Sequence, residues 1–139
     1  MEYLCFVQKQ NIYSVHEEIL NTATHAAGLV MGLSVCVYFL MKCGTTGSWL
    51  VPFSLSLYLF GVVSSYAASS IYHAIPATLP RSKAWARKFD HAAIYWHIAG
   101  SYSPLTLVAM RDGGSATWGV VIFAFVWLCA LVGTALSFR

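Results

Sequence analysis

The chain has 139 residues, of which 58% are hydrophobic, 15% aromatic and only 9% charged. Soluble domains carry about 25% charged residues, so an ordinary soluble core is excluded and a membrane protein is expected. The net charge of +3 is modest and concentrated in one stretch, which speaks for membrane topology and against nucleic-acid binding.

Residues 1–16 lack a basic segment followed by an apolar run, so no cleaved signal peptide is expected and insertion starts from the first membrane helix. Cys5, Cys36, Cys43 and Cys129 show no paired spacing and imply no disulfide framework. Four apolar runs, near 18–41, 49–73, 90–110 and 116–138, are each long enough to span a hydrocarbon core of about 30 Å. The expected architecture is therefore all-α: one integral membrane bundle of four transmembrane helices filling residues 1–139. Short linkers rich in Gly and Pro make sequential helices antiparallel neighbours.

In the first helix Glu18, Asn21, His25 and Gly28 recur at helical spacing and share one face. Asn21 and His25 either glue the bundle or line a site. Gly28 and Gly32 form a GxxxG pair suited to close helix packing, although such pairs also arise by chance. The second helix ends in Ser69-Ser-Ile-Tyr-His73, which puts Ser69 and His73 one turn apart on a common face. A basic linker follows, and Asp90 opens the third apolar run, so the two helix ends are expected to meet. His91 reads as a hydrogen-bonding neighbour of Asp90, and His97 as a satisfied core histidine. Pro104 is expected to kink the third helix or end its regular bonding, with Ser101 and Ser103 re-satisfying the backbone. Trp49, Trp85, Tyr95, Trp96, Trp118 and Trp127 read mainly as interface anchors and lipid-facing bulk. The fourth helix reads as scaffold.

Lys9, Arg81, Lys83, Arg87, Lys88 and Arg139 fall on one side of this topology, and Lys42 and Arg111 on the other. The positive-inside rule then puts the N-terminus in the cytoplasm. Glu18, Ser69, His73 and Asp90 gather at the same cytoplasmic margin. Each alone reads as a cap or headgroup contact. Together they read as a site, because an Asp at mid-bilayer costs roughly 2.5–3.5 kcal/mol.

Catalytic zinc takes three protein ligands and keeps one position for water, whose pKa it lowers to about 7. His73 suits a ligand, Asp90 a base for that water, and Ser69 a donor to a developing oxyanion. No HxxxH or HExxH pair is present, so spacing alone does not establish a metal.

The motifs E-x-x-N-x-x-T-H-x-x-G (Glu18 to Gly28), S-S-I-Y-H (Ser69 to His73) and F-D-H-A-A-I-Y-W-H-I-A-G-S-Y-S-P (Phe89 to Pro104) resemble those of the bacterial hemolysin III proteins. That family belongs to the progestin and adipoQ receptor group, within a wider superfamily that includes alkaline ceramidases. The resemblance implies a seven-helix bundle with zinc near the cytoplasmic side of a bacterial plasma membrane. It assigns His73 as a zinc ligand, Ser69 and Asp90 as catalytic residues around the metal-bound water, and the remaining ligands to an HxxxH motif on a seventh helix. This sequence resembles the N-terminal four-helix part and carries no such motif, so the site is expected to be incomplete here. Glu18, Asn21, His25 and His91 form the supporting polar shell.

Three functions follow as expectations. One is a zinc-dependent hydrolase acting on a lipid amide or ester. Another is a non-enzymatic pore-forming, cytolytic or receptor-like protein, and the third is an incomplete bundle inactive by itself. The expected partner is the lipid bilayer, with no nucleic acid and no soluble protein partner.

Overall fold

The computed structural model describes residues 13–43 and 47–139, so Cys5 and Lys9 lie outside the described residues. Four helical stretches follow one another: α1 (Val15–Cys43), α2 (Leu50–Ala74), α3 (Pro80–Pro104) and α4 (Ala116–Ser137). From Pro104 the path of α3 continues through a π-helical segment, Leu105–Ala109, into a short last turn, Met110–Asp112.

Local chemistry sets the boundaries. At the start of α1, the Ser14 backbone N–H donates to Glu17 Oε2 (2.6 Å) and the Glu17 N–H donates to Ser14 Oγ (3.3 Å). This capping box satisfies two donors that have no partner within the helix, and it starts α1 three residues before the expected Glu18. Pro52 is tolerated in the first turn of α2, where its missing N–H removes no bond. At the other end Ile75 is extended (φ −73°, ψ 121°), as the residue before Pro76 is biased to be. Pro80 then occupies the first turn of α3, which its fixed φ favours. The third helix therefore begins at Pro80 rather than near Asp90, and most of the expected basic linker is helical. Pro104 ends the α-helical bonding as expected: the Met110 N–H donates to the Leu105 carbonyl, a π-type bond. Ser101, Ser103 and Thr106 hydroxyls donate to His97, Ala99 and Tyr102 carbonyls at 2.7–2.9 Å.

The helices form a row, with α2 between α1 and α3, and α4 on the far side of α3. Small residues fill the seams. Gly61 of α2 lies so close to α3 that a Cβ there would come within 2.7 Å of the Trp96 carbonyl oxygen. One on Gly100 of α3 would come within 2.6 Å of the Leu57 carbonyl. Gly28 and Gly32 of α1 receive the Tyr66 and Val62 side chains, so the GxxxG pair is a packing notch. Gly119 of α4 meets the Thr106 backbone, and Gly133 meets the Tyr95 ring. The buried set is correspondingly small in side chain, with Leu107 its largest member: Cys36, Ser54, Val62, Ser69, Ala92, Ala93, Ala99, Ser103, Thr106, Leu107 and Ala130.

Large apolar residues instead point outward, among them Met31, Tyr38, Phe60, Phe125 and Leu131. That inversion suits a solvent as apolar as leucine, in which helix association depends on close contact rather than on removing apolar surface from water. Helices α1, α2 and α4 are long and apolar enough to cross a membrane, whereas α3 carries charge along its first turns. The fold is a membrane helix bundle.

Two tryptophans expected to face lipid have another part. The Trp96 indole N–H donates to Thr134 Oγ1 (2.8 Å) and that of Trp127 to Ser103 Oγ (3.1 Å), which ties α3 to α4. In hydrocarbon an indole N–H has no water to donate to, so a hydroxyl on the next helix satisfies it.

Gly100→Val would force α2 and α3 apart at their closest approach. Thermal unfolding in detergent micelles is expected to show a loss of about 1–3 kcal/mol. An unchanged midpoint would mean that the seam has room.

Candidate functional site

Three helices meet at one end of the row, on a single carboxylate. Glu18 lies in the first turn of α1, and its Oε2 accepts a hydrogen bond from His73 Nδ1 at the end of α2 (2.6 Å). Its Oε1 accepts another from Lys83 Nζ in the first turn of α3 (2.6 Å). Lys83 also donates to the Ile75 carbonyl (2.9 Å), one of the orphan acceptors where α2 ends. The Glu18, His73 and Lys83 side chains are 20%, 9% and 12% exposed, so these are sheltered interactions rather than surface pairs. A carboxylate can only accept, which puts the imidazole proton on Nδ1 and makes Nε2 the basic nitrogen.

Aromatic rings enclose His73. His25 stacks on it (centroids 6.0 Å apart, 10° between planes), Tyr72 lies at 4.8 Å and Tyr13 meets it edge-on at 5.6 Å. The face of α1 that carries Glu18, His25 and Gly28 is thus the face that packs on α2, with His25 also against Tyr66. Asn21 is half-buried. Beside the ion pairs lies a groove of about 690 Å3, walled by Val15, Ile19, Ala26, Ile75 and Pro76.

Of the expected trio of Ser69, His73 and Asp90, His73 is the member bonded to Glu18. Ser69 is buried (7% exposed), one turn back along α2. Asp90 stands almost three turns into α3, because that helix starts at Pro80, and so it does not open the helix. Among the described residues no hydrogen bond or ion pair joins Asp90 to His73. His91 is exposed on α3 and lines a second pocket. Glu18 moves from the supporting shell to the centre. Lys83, read in the sequence only as a topology charge, becomes its partner; Pro80, which starts a helix one turn before Lys83, was the available signal.

No group of three His, Cys, Asp or Glu side chains that could hold a metal occurs among the described residues. His73 and Glu18 amount to two donors already bonded to each other. These residues do not fit a zinc site by themselves.

Small-residue seams, apolar outer faces and a polar, histidine-bearing end define an integral membrane protein with a site at one margin of its bundle. The chain belongs to the family described as Haemolysin-III related, which it matches over residues 13–139. It is 29% identical over 122 residues to the "Hemolysin-3 homolog" of Bacillus subtilis (strain 168), covering 88% of this chain and 54% of that protein. It is 28% identical over 119 residues to "Hemolysin-3" of Bacillus cereus, covering 86% and 52% respectively. The chain thus spans about half the length of the curated relatives it matches. No solved structure matches it.

Glu18→Gln keeps the shape but removes the charge that Lys83 faces, and is expected to cost about 1–3 kcal/mol. Lys83→Met in the same chain is expected to return part of that loss. A double-mutant cycle in micelles checks it, and strict additivity would mean that the pair does not interact.

Proposed function

We propose that this protein contributes to a membrane hydrolase-type site that acts on the amide or ester bond of a lipid. Its basic end would lie at the cytoplasmic side of a bacterial plasma membrane, with the N-terminus cytoplasmic. Arg81, Lys83, Arg87, Lys88 and Arg139 at that end, against Lys42 and Arg111 at the other, support the orientation.

The observation that carries the reading is the groove beside His73. Glu18, His73 and Lys83 stand at the margin of a cleft whose remaining walls are largely apolar, which matches a lipid with one polar linkage and a long chain. Glu18 accepts from Nδ1, which fixes the imidazole tautomer and leaves Nε2 as the ligating nitrogen, the role a carboxylate has beside a metal-ligating histidine. Lys83 fixes Glu18 in turn. In this reading zinc would be completed by ligands beyond the described residues or from a second copy, with His73 supplying one. Ser69 and Asp90 belong to that completed site.

The relatives' names attach haemolysis to those proteins. A pore is the weaker reading for this chain, because its ionisable residues gather toward one end and, among the described residues, form no polar stripe along the full length of the bundle.

In proteoliposomes, hydrolysis of a fluorogenic amide- or ester-linked lipid is expected, with entrapped dye retained. His73→Ala is expected to slow it about 100-fold or more. Dye release without hydrolysis would overturn the proposal in favour of a cytolytic protein.

A further inference from the structure

The helical path from Pro80 to Asp112 is about 50 Å long at 1.5 Å per residue, against a hydrocarbon core of about 30 Å. With the charged pair Arg111 and Asp112 set at the far interface, about 20 Å of this path, the turns from Pro80 to His91, would project into the headgroup layer at the basic end. One side of this projection is aromatic. Trp85 and Phe89 pack on Phe138 at 6.2 and 4.9 Å between ring centroids, and Trp85 is 59% exposed, as an interfacial anchor is.

The other side is basic. Lys83, Arg87 and His91 recur at helical spacing, and with Lys88 and the Tyr72 ring of α2 they line a pocket of about 280 Å3. Lys83 is offset by Glu18. Arg87 has no carboxylate within ion-pair distance among the described residues. Lys88 donates to the Phe138 carbonyl (3.2 Å) and lies over the Trp85 ring, contacts that leave its charge unneutralised. Asp90 is the other carboxylate nearby, and both it and Arg87 act electrostatically on the Tyr72 phenol. The pocket lining thus carries three cations, Lys83, Arg87 and Lys88, and no carboxylate, and only Lys83 is ion-paired.

We propose that this pocket binds the phosphate of an anionic membrane lipid. A phosphodiester supplies the negative charge that the pocket lining lacks. Its paired oxygens suit the guanidinium fork of Arg87, with Lys88 supplying a second cation. The height of the pocket beside Trp85 makes a lipid headgroup the natural bearer of that phosphate, because basic pockets between helices at the positive side take such groups. The site is separate from the His73 groove and shares only Lys83 with it.

The test uses the full chain in dodecyl maltoside, with thermal unfolding followed as phosphatidylglycerol or phosphatidylcholine is added. Phosphatidylglycerol is expected to raise the unfolding temperature and phosphatidylcholine to leave it unchanged. Arg87→Gln and Lys88→Gln are each expected to weaken the apparent Kd about fivefold, whereas Arg111→Gln at the opposite end leaves it unaltered. Equal stabilisation by both lipids, or an unchanged Kd in Arg87→Gln, would overturn the proposal. Stabilisation by inorganic phosphate that also displaces phosphatidylglycerol would retain the phosphate pocket and overturn the lipid as its occupant.

Discussion

A carboxylate at the edge of a membrane has to find partners, and Glu18 finds them on two other helices. Its oxygens are shared between His73 of α2 and Lys83 of α3, both at 2.6 Å. Removing charges from water is costly, and their mutual attraction offsets that cost only when the geometry is close and the remaining polar atoms are also bonded. Lys83 meets the second condition by donating to the Ile75 carbonyl as well. One cluster therefore ties together the start of α1, the end of α2 and the first turn of α3. The His73 imidazole inherits its tautomer and its setting from that arrangement.

The rest of the bundle obeys a different rule. Along the seams the backbones approach until glycine alone fits, at Gly61 and Gly100 between α2 and α3 and at Gly119 between α3 and α4. Contacts of this kind hold helices together through dispersion and a few indole-to-hydroxyl bonds, without any gain from burying large side chains. The bulky residues are left for the lipid. A polar clasp at one end and smooth seams elsewhere place the groove and the basic pocket together at the end where, among the described residues, ion pairs join three helices.

The proposed reactivity and the proposed lipid-phosphate pocket use neighbouring but different chemistry. The groove pairs an oriented imidazole with an apolar wall. The pocket beyond Lys83 offers an excess cation at headgroup height. Lys83 links the two, because the charge it gives to Glu18 is charge it withholds from an anion in the pocket. A lipid held by its phosphate in that pocket would sit next to the cleft that contains His73.

Much of this protein was legible without coordinates. Composition alone indicated a membrane bundle, the apolar runs located α1, α2 and α4 to within a few residues, and periodicity selected the face of α1 that packs on α2. The motifs around Glu18, His73 and Phe89–Pro104 pointed to the hemolysin III family, to which the chain belongs. The start of α3 was misplaced because its first turns are basic. A charged helix standing in the headgroup layer looks like a linker to any reading that equates helix with apolar run, although Pro80 marked the boundary. Pairing was beyond the sequence altogether: Glu18 and His73 are 55 positions apart and Glu18 and Lys83 are 65 apart, and no local spacing relates them. Which of Glu18 and Asp90 meets His73 depends on the rotation and offset of helices, and those are set by glycine seams acting over the whole bundle. Residue types and periodicity determine what each helix offers, and only tertiary packing decides which offers meet.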